Sequence, residues 1–544
     1  MGTSRLRVLA NQRVNGSHPL RDRGAKGPAG EPDAAPRPPV PRTPWIRKAA
    51  WVLAMCLVAA TTATANPGGS LEGRVQEHRL ANGLTVLALR RGVAPVVSLQ
   101  MTFRVGGVDE PSGYTGMAHL LEHLLFKGTR TLGTRDWQKE EPLLRRIERV
   151  GRALDRERRK GDRADPREIE RLRAELRRLQ EEHRSLVIKD EIDAIYTRNG
   201  AVGFNAFTSS DLTSYIVSLP SNRLELWARI ESERMRDPVL REYYVERDVV
   251  VEERRQRYGS DPDGRLYETL LSTAFRAHPY RDPVIGWPAD LETLDLEATR
   301  RFFRDYYGPD NAVIVAVGDV DPPAFFRLVE RYFGDLPARG VSRRPITREP
   351  PQQGPRRAEV WFDAEPRLVV AFHKPTLPHR DDYVFDVIEA VLTDGRSSRL
   401  VRELVDRRRV AASVSAANGL PGARYPNLFA VFLTPLQGVD VGEAERALLA
   451  ELDRLGREPP TREELERVLR RLEASRVRSL LSNSGLARRL AYFQALTGDW
   501  RYIEEHPRVL RTITPDEVAA VARRYLTPQN RTVVVLRPRP EEDR

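Results

Sequence analysis

The chain has 544 residues, 40% of them hydrophobic, and a formal net charge of +12. That length exceeds what one hydrophobic core normally organises, so two or more domains are expected. The first 48 residues hold ten Lys/Arg against three Asp/Glu, which leaves a surplus of only five for the rest; with no basic stripe interleaved with aromatics, nucleic acid is excluded as an expected partner.

Residues 1–48 are rich in Pro, Gly and Arg and poor in apolar side chains, the composition of a disordered basic arm. Arg47-Lys48 then precedes an apolar run from Ala49 to about Ala60, and Ala63-Thr64-Ala65 offers small residues to a signal peptidase. Residues 49–65 therefore read as a signal peptide, which implies a periplasmic or secreted protein. A misassigned start codon and an uncleaved anchor are the alternatives, and only the anchor would tie the protein to a membrane. The one cysteine, Cys56, lies inside this run behind Met55, where lipid modification would require a small residue. Cleavage after Ala65 leaves no thiol, so a disulfide framework is excluded and any metal must be held through nitrogen and oxygen.

A first domain is expected over residues 74–340. From Val75 to Val105 apolar and polar residues alternate around Ala81-Asn82-Gly83, the pattern of a hairpin opening an antiparallel sheet. His119-Leu120-Leu121-Glu122-His123 follows. Positions i and i+4 share a helical face, so His119 and His123 can present two imidazoles to one ion with Glu122 beside them. A catalytic zinc usually takes a third protein ligand and keeps one position for water, so a carboxylate from elsewhere is expected. Thr115 is placed to cap this helix, Ala118, Leu120, Leu121, Leu124, Leu125 and Phe126 to embed it, and Gly128 to close it.

After Thr129 comes a highly charged block. Leu143, Ile147, Val150 and Leu154, then Ile169, Leu172, Leu176, Leu179, His183 and Leu186, recur at steps of three and four around a break at Gly161-Asp162. Residues 140–196 thus read as an inserted antiparallel helical hairpin: a partner contact, a lid, or a solvated decoration in which His183 packs in the seam. Phe204-Asn205-Ala206-Phe207-Thr208 reads as a strand. A helix is expected from about Arg241 to Tyr258 with Val249, Val250 and Val251 inward; Glu246 and Glu253, seven apart, share one face, although spacing alone leaves Glu252 open as the ligand.

A Pro-rich linker over 341–355 precedes a second domain over 356–540. Arg304-Asp305-Tyr306-Tyr307-Gly308-Pro309-Asp310-Asn311 followed by Val313-Ile314-Val315 is echoed by Arg523-Arg524-Tyr525-Leu526-Thr527-Pro528-Gln529-Asn530 and Val533-Val534-Val535, which points to two homologous halves. The second half has no H-x-x-E-H motif.

These motifs together resemble the pitrilysin/insulinase family of inverzincin zinc peptidases, in particular a bacterial branch akin to mitochondrial processing peptidase. The resemblance rests on His119 to His123 with flanks Gly116-Met117-Ala118 and Phe126-Lys127-Gly128-Thr129, on Phe204 to Thr208, on Glu246 to Glu253, on His278-Pro279-Tyr280 and on Tyr307 to Asn311. It implies an α+β fold of two homologous domains, each a mainly antiparallel sheet with helices packed on one face. It also implies a zinc-dependent endopeptidase with one Zn2+ per chain, held by His119, His123 and Glu253. Glu122 would be the general base, Glu246 a supporting catalytic carboxylate, and Asn205 and Ala206 contacts to an extended peptide substrate.

The separation of His123 and Glu253 by 129 residues, 253 − 123 − 1, is long for that family, and the hairpin accounts for the surplus. Gly395-Arg396-Ser397-Ser398-Arg399-Leu400 matches the family's second-half signature, but the substrate-engaging Arg and Tyr that follow it fall on Val405 and Ala412. Neither can donate the required hydrogen bonds. Arg402, Arg407, Arg408 and Arg409 are nearby substitutes. The expected partner is thus a paralogous subunit supplying the Arg/Tyr pair in a heterodimer, with a homodimer as the other arrangement. The rival function is a non-catalytic scaffold subunit of a peptidase complex.

Overall fold

The computed structural model describes residues 70–92 and 94–539, so the basic arm of 1–48 and the signal segment 49–65 lie outside the described residues. β1 (Gln76–Arg79) and β2 (Thr85–Arg90) form an antiparallel hairpin across Asn82-Gly83, followed by β3 (Val96–Phe103) and α1 (Met117–Leu124). The charged block forms α2 (Trp137–Arg158) and α3 (Pro166–Arg184), and α4 (Glu191–Arg198) leads into the β4 (Val202–Thr208) and β5 (Thr213–Pro220) pair. Then come α5 (Leu224–Arg236), α6 (Tyr243–Arg254), α7 (Pro262–Ala274), α8 (Pro288–Thr293), α9 (Leu296–Tyr306), β6 (Ala312–Gly318) and α10 (Pro322–Phe333). Residues 341–353 carry no helix, strand or turn.

The second half comprises β7 (Arg356–Phe362), β8 (Arg367–Lys374), α11 (Arg380–Thr393), β9 (Ala411–Leu420) and β10 (Asn427–Pro435). It closes with α12 (Val441–Arg457), α13 (Arg462–Leu480), α14 (Asn483–Thr497), α15 (Tyr502–Leu510), α16 (Pro515–Tyr525) and β11 (Arg531–Pro538). Among the described residues no helix is long and apolar enough to cross a membrane.

The strand orders are β1-β2-β6-β3-β5-β4 and β7-β11-β8-β10-β9. Removing β1 makes them the same: each sheet is antiparallel except for one parallel pair, β2 with β6 (Thr85 opposite Val313) and β7 with β11 (Thr532 opposite Arg356). The repeated sequence forms the same unit twice, α9 into β6 and α16 into β11 through a short 3-10 turn.

β6 is buried at every residue because both faces of its sheet are covered, which explains a continuous apolar run where a half-solvated strand would alternate. Ile314 and Ala316 face the core that holds α1, whereas Val313, Val315 and Val317 pack against Leu486, Leu490 and Phe493 of α14. The exchange is mutual, for α7 lays Leu266, Leu270 and Leu271 against Val369, Ala371, Val534 and Leu536 of the second sheet. Each such side chain contributes about 1.5–3 kcal/mol when buried, so core packing joins the halves far more firmly than the linker does. Arg424 adds an ion pair to the buried Asp109, its Nη1 donating to both carboxylate oxygens at 3.0 Å.

Candidate metal centre

α1 starts differently from the capping pattern in its sequence. Its N-cap is Gly116, in the left-handed region at φ 88°, and no side chain caps it. A Cβ there would sit 2.5 Å from the Ile285 carbonyl oxygen, so glycine is required on both conformational and steric grounds. The free N–H groups of Gly116 and Ala118 donate instead to Glu110, at 2.9 and 2.6 Å. Thr115 is not the cap: its hydroxyl donates to Asp290 at 2.6 Å and accepts from the Trp287 N–H. Ala118, Leu120, Leu121, Leu124 and Leu125 are buried as their spacing predicts, and Phe126 packs against the same core.

α6 runs beside α1 and continues from Arg255 to Gly259 as a π-helical turn. The expectation that three consecutive valines face inward fails. Val250 is buried but Val249 is 45% exposed, since residues 100° apart on a helix cannot all share one face. The same geometry separates the two neighbouring acids. Glu252 turns outward to Arg255 and Gln256, while Glu253 turns toward both imidazoles.

Glu253 Oε2 lies 3.8 Å from His119 Nε2 and 3.5 Å from His123 Nε2, and the two rings meet edge to face with centroids 4.9 Å apart. Among the described residues, His119, His123 and Glu253 are the one group of His, Cys, Asp and Glu whose ligand atoms converge in this way. Donors about 2.0–2.2 Å from a tetrahedral ion stand roughly 3.4 Å apart, so two nitrogens and an oxygen with these spacings fit zinc. Burial, together with His123 and Arg257, holds the His119 imidazole well below its usual pKa, in the neutral form that can donate a lone pair.

Around this group the electrostatics are ordered. Burial opposes charge on His123, but the Glu246 contact and the carboxylates of Glu253 and Glu122 outweigh it and hold its pKa above the ordinary value. Glu246 Oε2 lies 3.3 Å from His123 Nδ1 and Oε1 lies 2.6 Å from Lys127 Nζ. Glu246 is buried, yet those two partners keep its pKa below normal. Arg257 Nη2 comes within 2.8 Å of Glu253 Oε1 as an ion pair one helical turn away.

Glu122 is 4% exposed and points toward β4, where it accepts a 2.5 Å hydrogen bond from the Thr208 hydroxyl. Burial pushes its carboxyl up to about 7, against the opposing pull of Thr208 and His123. β4 is the last strand of its sheet; among the described residues it pairs with β5 alone, so its outer edge has no strand partner. Asn205 is half-buried on β4; Ala206 is 1% exposed, which leaves only its main chain to meet a ligand.

Sequence reading missed Lys127, Thr208 and Arg257. Lys127 and Arg257 each stand four residues after a presumed ligand, a spacing that puts them on its face. Thr208 shares a strand face with Ala206, but only the sheet brings that face to Glu122.

A model of the insulinase family, peptidase family M16, matches residues 85–153 and 188–287, and a model of the peptidase M16 inactive domain matches 293–472. The chain belongs to peptidase family M16. Zinc protease PqqE of Helicobacter pylori is 27% identical to this M16 chain over 468 residues, 84% of this chain and 92% of that protein. An uncharacterized zinc protease of Mycobacterium tuberculosis is 28% identical over 480 residues, 85% and 93% of the two chains. A solved protease structure from Helicobacter pylori superimposes with a TM-score of 0.70 at 26% identity, covering 85% of this chain and all but 1% of its own, 99%. A peptidase M16 inactive domain from Pseudomonas fluorescens gives a TM-score of 0.68 at 16% identity, with coverage of 86% and 98%, and shares the fold.

Proposed function

We propose that this M16 chain is a zinc-dependent endopeptidase that hydrolyses extended or unfolded peptides. The observation that carries the reading is the convergence of His119, His123 and Glu253 on one point, with the buried Glu122 alongside and an open strand edge next to it. Relatives named zinc proteases support the same reading.

A zinc ion bound there would act as a Lewis acid and lower the pKa of water. The chain's own residues divide the remaining work. An extended peptide pairs with the free edge of β4 through main-chain hydrogen bonds, which give affinity without reading sequence, and Asn205 contributes a polar side chain beside it. Glu122 takes a proton from water and returns it to the leaving amine, with Thr208 fixing which carboxylate oxygen faces the reaction. Glu246 and Lys127 hold His123 in place.

The chain further acts as the metal-bearing subunit of a heterodimer, exported to the periplasm or beyond. Val405 lies in a π-helical turn, packed against the second core, and Ala412 is an exposed strand residue. Neither offers the cation or hydroxyl that a partner subunit would bring to the substrate.

The test is metal analysis with a cleavage assay on a mixed peptide library, alone and with candidate paralogous subunits. One zinc per chain is expected, with chelator-sensitive cleavage that rises sharply with the right partner. Glu122→Gln should retain zinc and lose turnover by about 10²–10⁴-fold. A protein that binds no zinc, or binds it and cleaves nothing with any partner, overturns the reading in favour of a scaffold; full activity of the purified chain removes only the heterodimer.

A further inference from the structure

Two buried guanidinium groups bracket Glu246 on α6, and the hairpin neutralises both. Arg241, two residues before α6, is fully buried; it donates to both oxygens of Glu140 on α2, at 2.6 and 3.1 Å. Its remaining N–H groups go to the carbonyl oxygens of Lys127, Thr129 and Leu132, the loop that leaves the His119 helix. Arg247, one residue after Glu246, is 2% exposed and donates to Asp155 at 2.9 Å and to the Leu294 carbonyl at 2.8 Å. Glu140 is completed by a 2.8 Å contact with His183 Nε2 on α3.

Asp155 and His183 lie within residues 154–187, the segment that the insulinase family model passes over. The hairpin does not simply lie flat against α6. A cleft of about 380 Å³, bordered by Trp137, Ile147, His183, Leu240, Tyr243 and Tyr244, opens between α2, α3 and the start of α6. The buried ion pairs therefore add polar joints to the apolar core that Leu143, Ile147, Val150 and Leu154 share with Tyr243, Tyr244 and Val250. A buried guanidinium stripped of its carboxylate is strongly unfavourable, so a lid that swung away would have to unpair Arg247 at every opening.

We propose that the inserted hairpin is a fixed brace for the metal-site helix, and that Asp155 is a positioning residue which, through Arg247, sets where Glu246 and Glu253 stand relative to His119 and His123. This rests on the metal reading given above. A shift of a few tenths of an ångström along α6 moves both carboxylates together, because they share its face.

The experiment uses the full chain and two readouts besides peptide cleavage: zinc affinity by chelator competition, and the visible absorption spectrum after cobalt substitution. Asp155→Asn, which keeps shape and removes charge, should weaken zinc by about 10–100-fold and alter the cobalt spectrum. His183→Gln, at the other joint, should also weaken zinc, but by less than Asp155→Asn does. A folded Asp155→Asn protein with wild-type zinc affinity and cobalt spectrum overturns the brace, even if its melting temperature falls. If Asp155→Asn does not fold, His183→Gln decides: weaker zinc supports the brace and unchanged zinc overturns it. A wild-type chain that takes up neither metal sinks the metal reading itself, an outcome distinct from both.

Discussion

The Thr208 hydroxyl donates a 2.5 Å hydrogen bond to Glu122 Oε2, linking the open edge strand to the carboxylate beside the two imidazoles. In the proposed reaction, the strand that would receive substrate and the group that would handle its proton are thereby held in one frame. Thr208→Val keeps the side-chain shape and removes the donor. It should lower kcat by about 10-fold with zinc content and KM nearly unchanged, and Thr208→Ser should restore most of it. Steady-state kinetics on the three proteins checks this; equal kcat for Thr208→Val and wild type would remove Thr208 from the mechanism.

Glu252 and Glu253 are neighbours with opposite surroundings, one exposed with Arg255 and Gln256, the other facing His119 and His123. Glu253→Gln should abolish tight zinc binding. Glu252→Gln should leave zinc and activity within about 2-fold, because exposed ion pairs are worth only about 0–1 kcal/mol. Zinc titration of both variants decides the matter, and the reverse ranking would assign the ligand to Glu252.

Lys127 bonds Glu246, and Glu246 contacts His123, so a lysine with no access to the metal group still orients one of its imidazoles. Lys127→Met should weaken zinc by about 10-fold, and Glu246→Gln by about 10–100-fold. Chelator competition measures both. Should Lys127→Met match wild type, Glu246 would be holding His123 without help from the lysine.

His278 gives a pH prediction away from the metal group. Burial lowers its pKa from 6.5 to about 4, so the folded protein keeps it neutral where the unfolded chain is protonated. Its stability contribution is thus complete above pH 6.5 and is lost as pH falls toward 4, by about 3 kcal/mol at most. Its Nδ1 accepts the Tyr280 N–H at 3.1 Å, and Tyr280 in turn donates to Asp211, which accepts the N–H groups of Ala423 and Arg424 from the second half. Denaturant melts from pH 7 to 4.5 should show a shallower acid slope for His278→Asn than for wild type, and identical slopes would show that His278 does not titrate as described.

Local periodicity made the two segments of the candidate metal site legible in the sequence alone. A four-residue step brings His119 and His123 to one face and a seven-residue step does the same for Glu246 and Glu253, because helix geometry is a property of the local backbone. The doubled helix-turn-strand text likewise announced two like halves. Contacts between distant segments were decided only by the tertiary structure. Glu110 and Gly116, not Thr115, start the metal helix because the Ile285 carbonyl crowds it; Glu253 rather than Glu252 meets the imidazoles because of how α6 is rotated against α1; and α14 crosses to cover the first sheet. None of these follows from spacing, since each depends on which surfaces close upon one another once the chain has paid the entropy of folding.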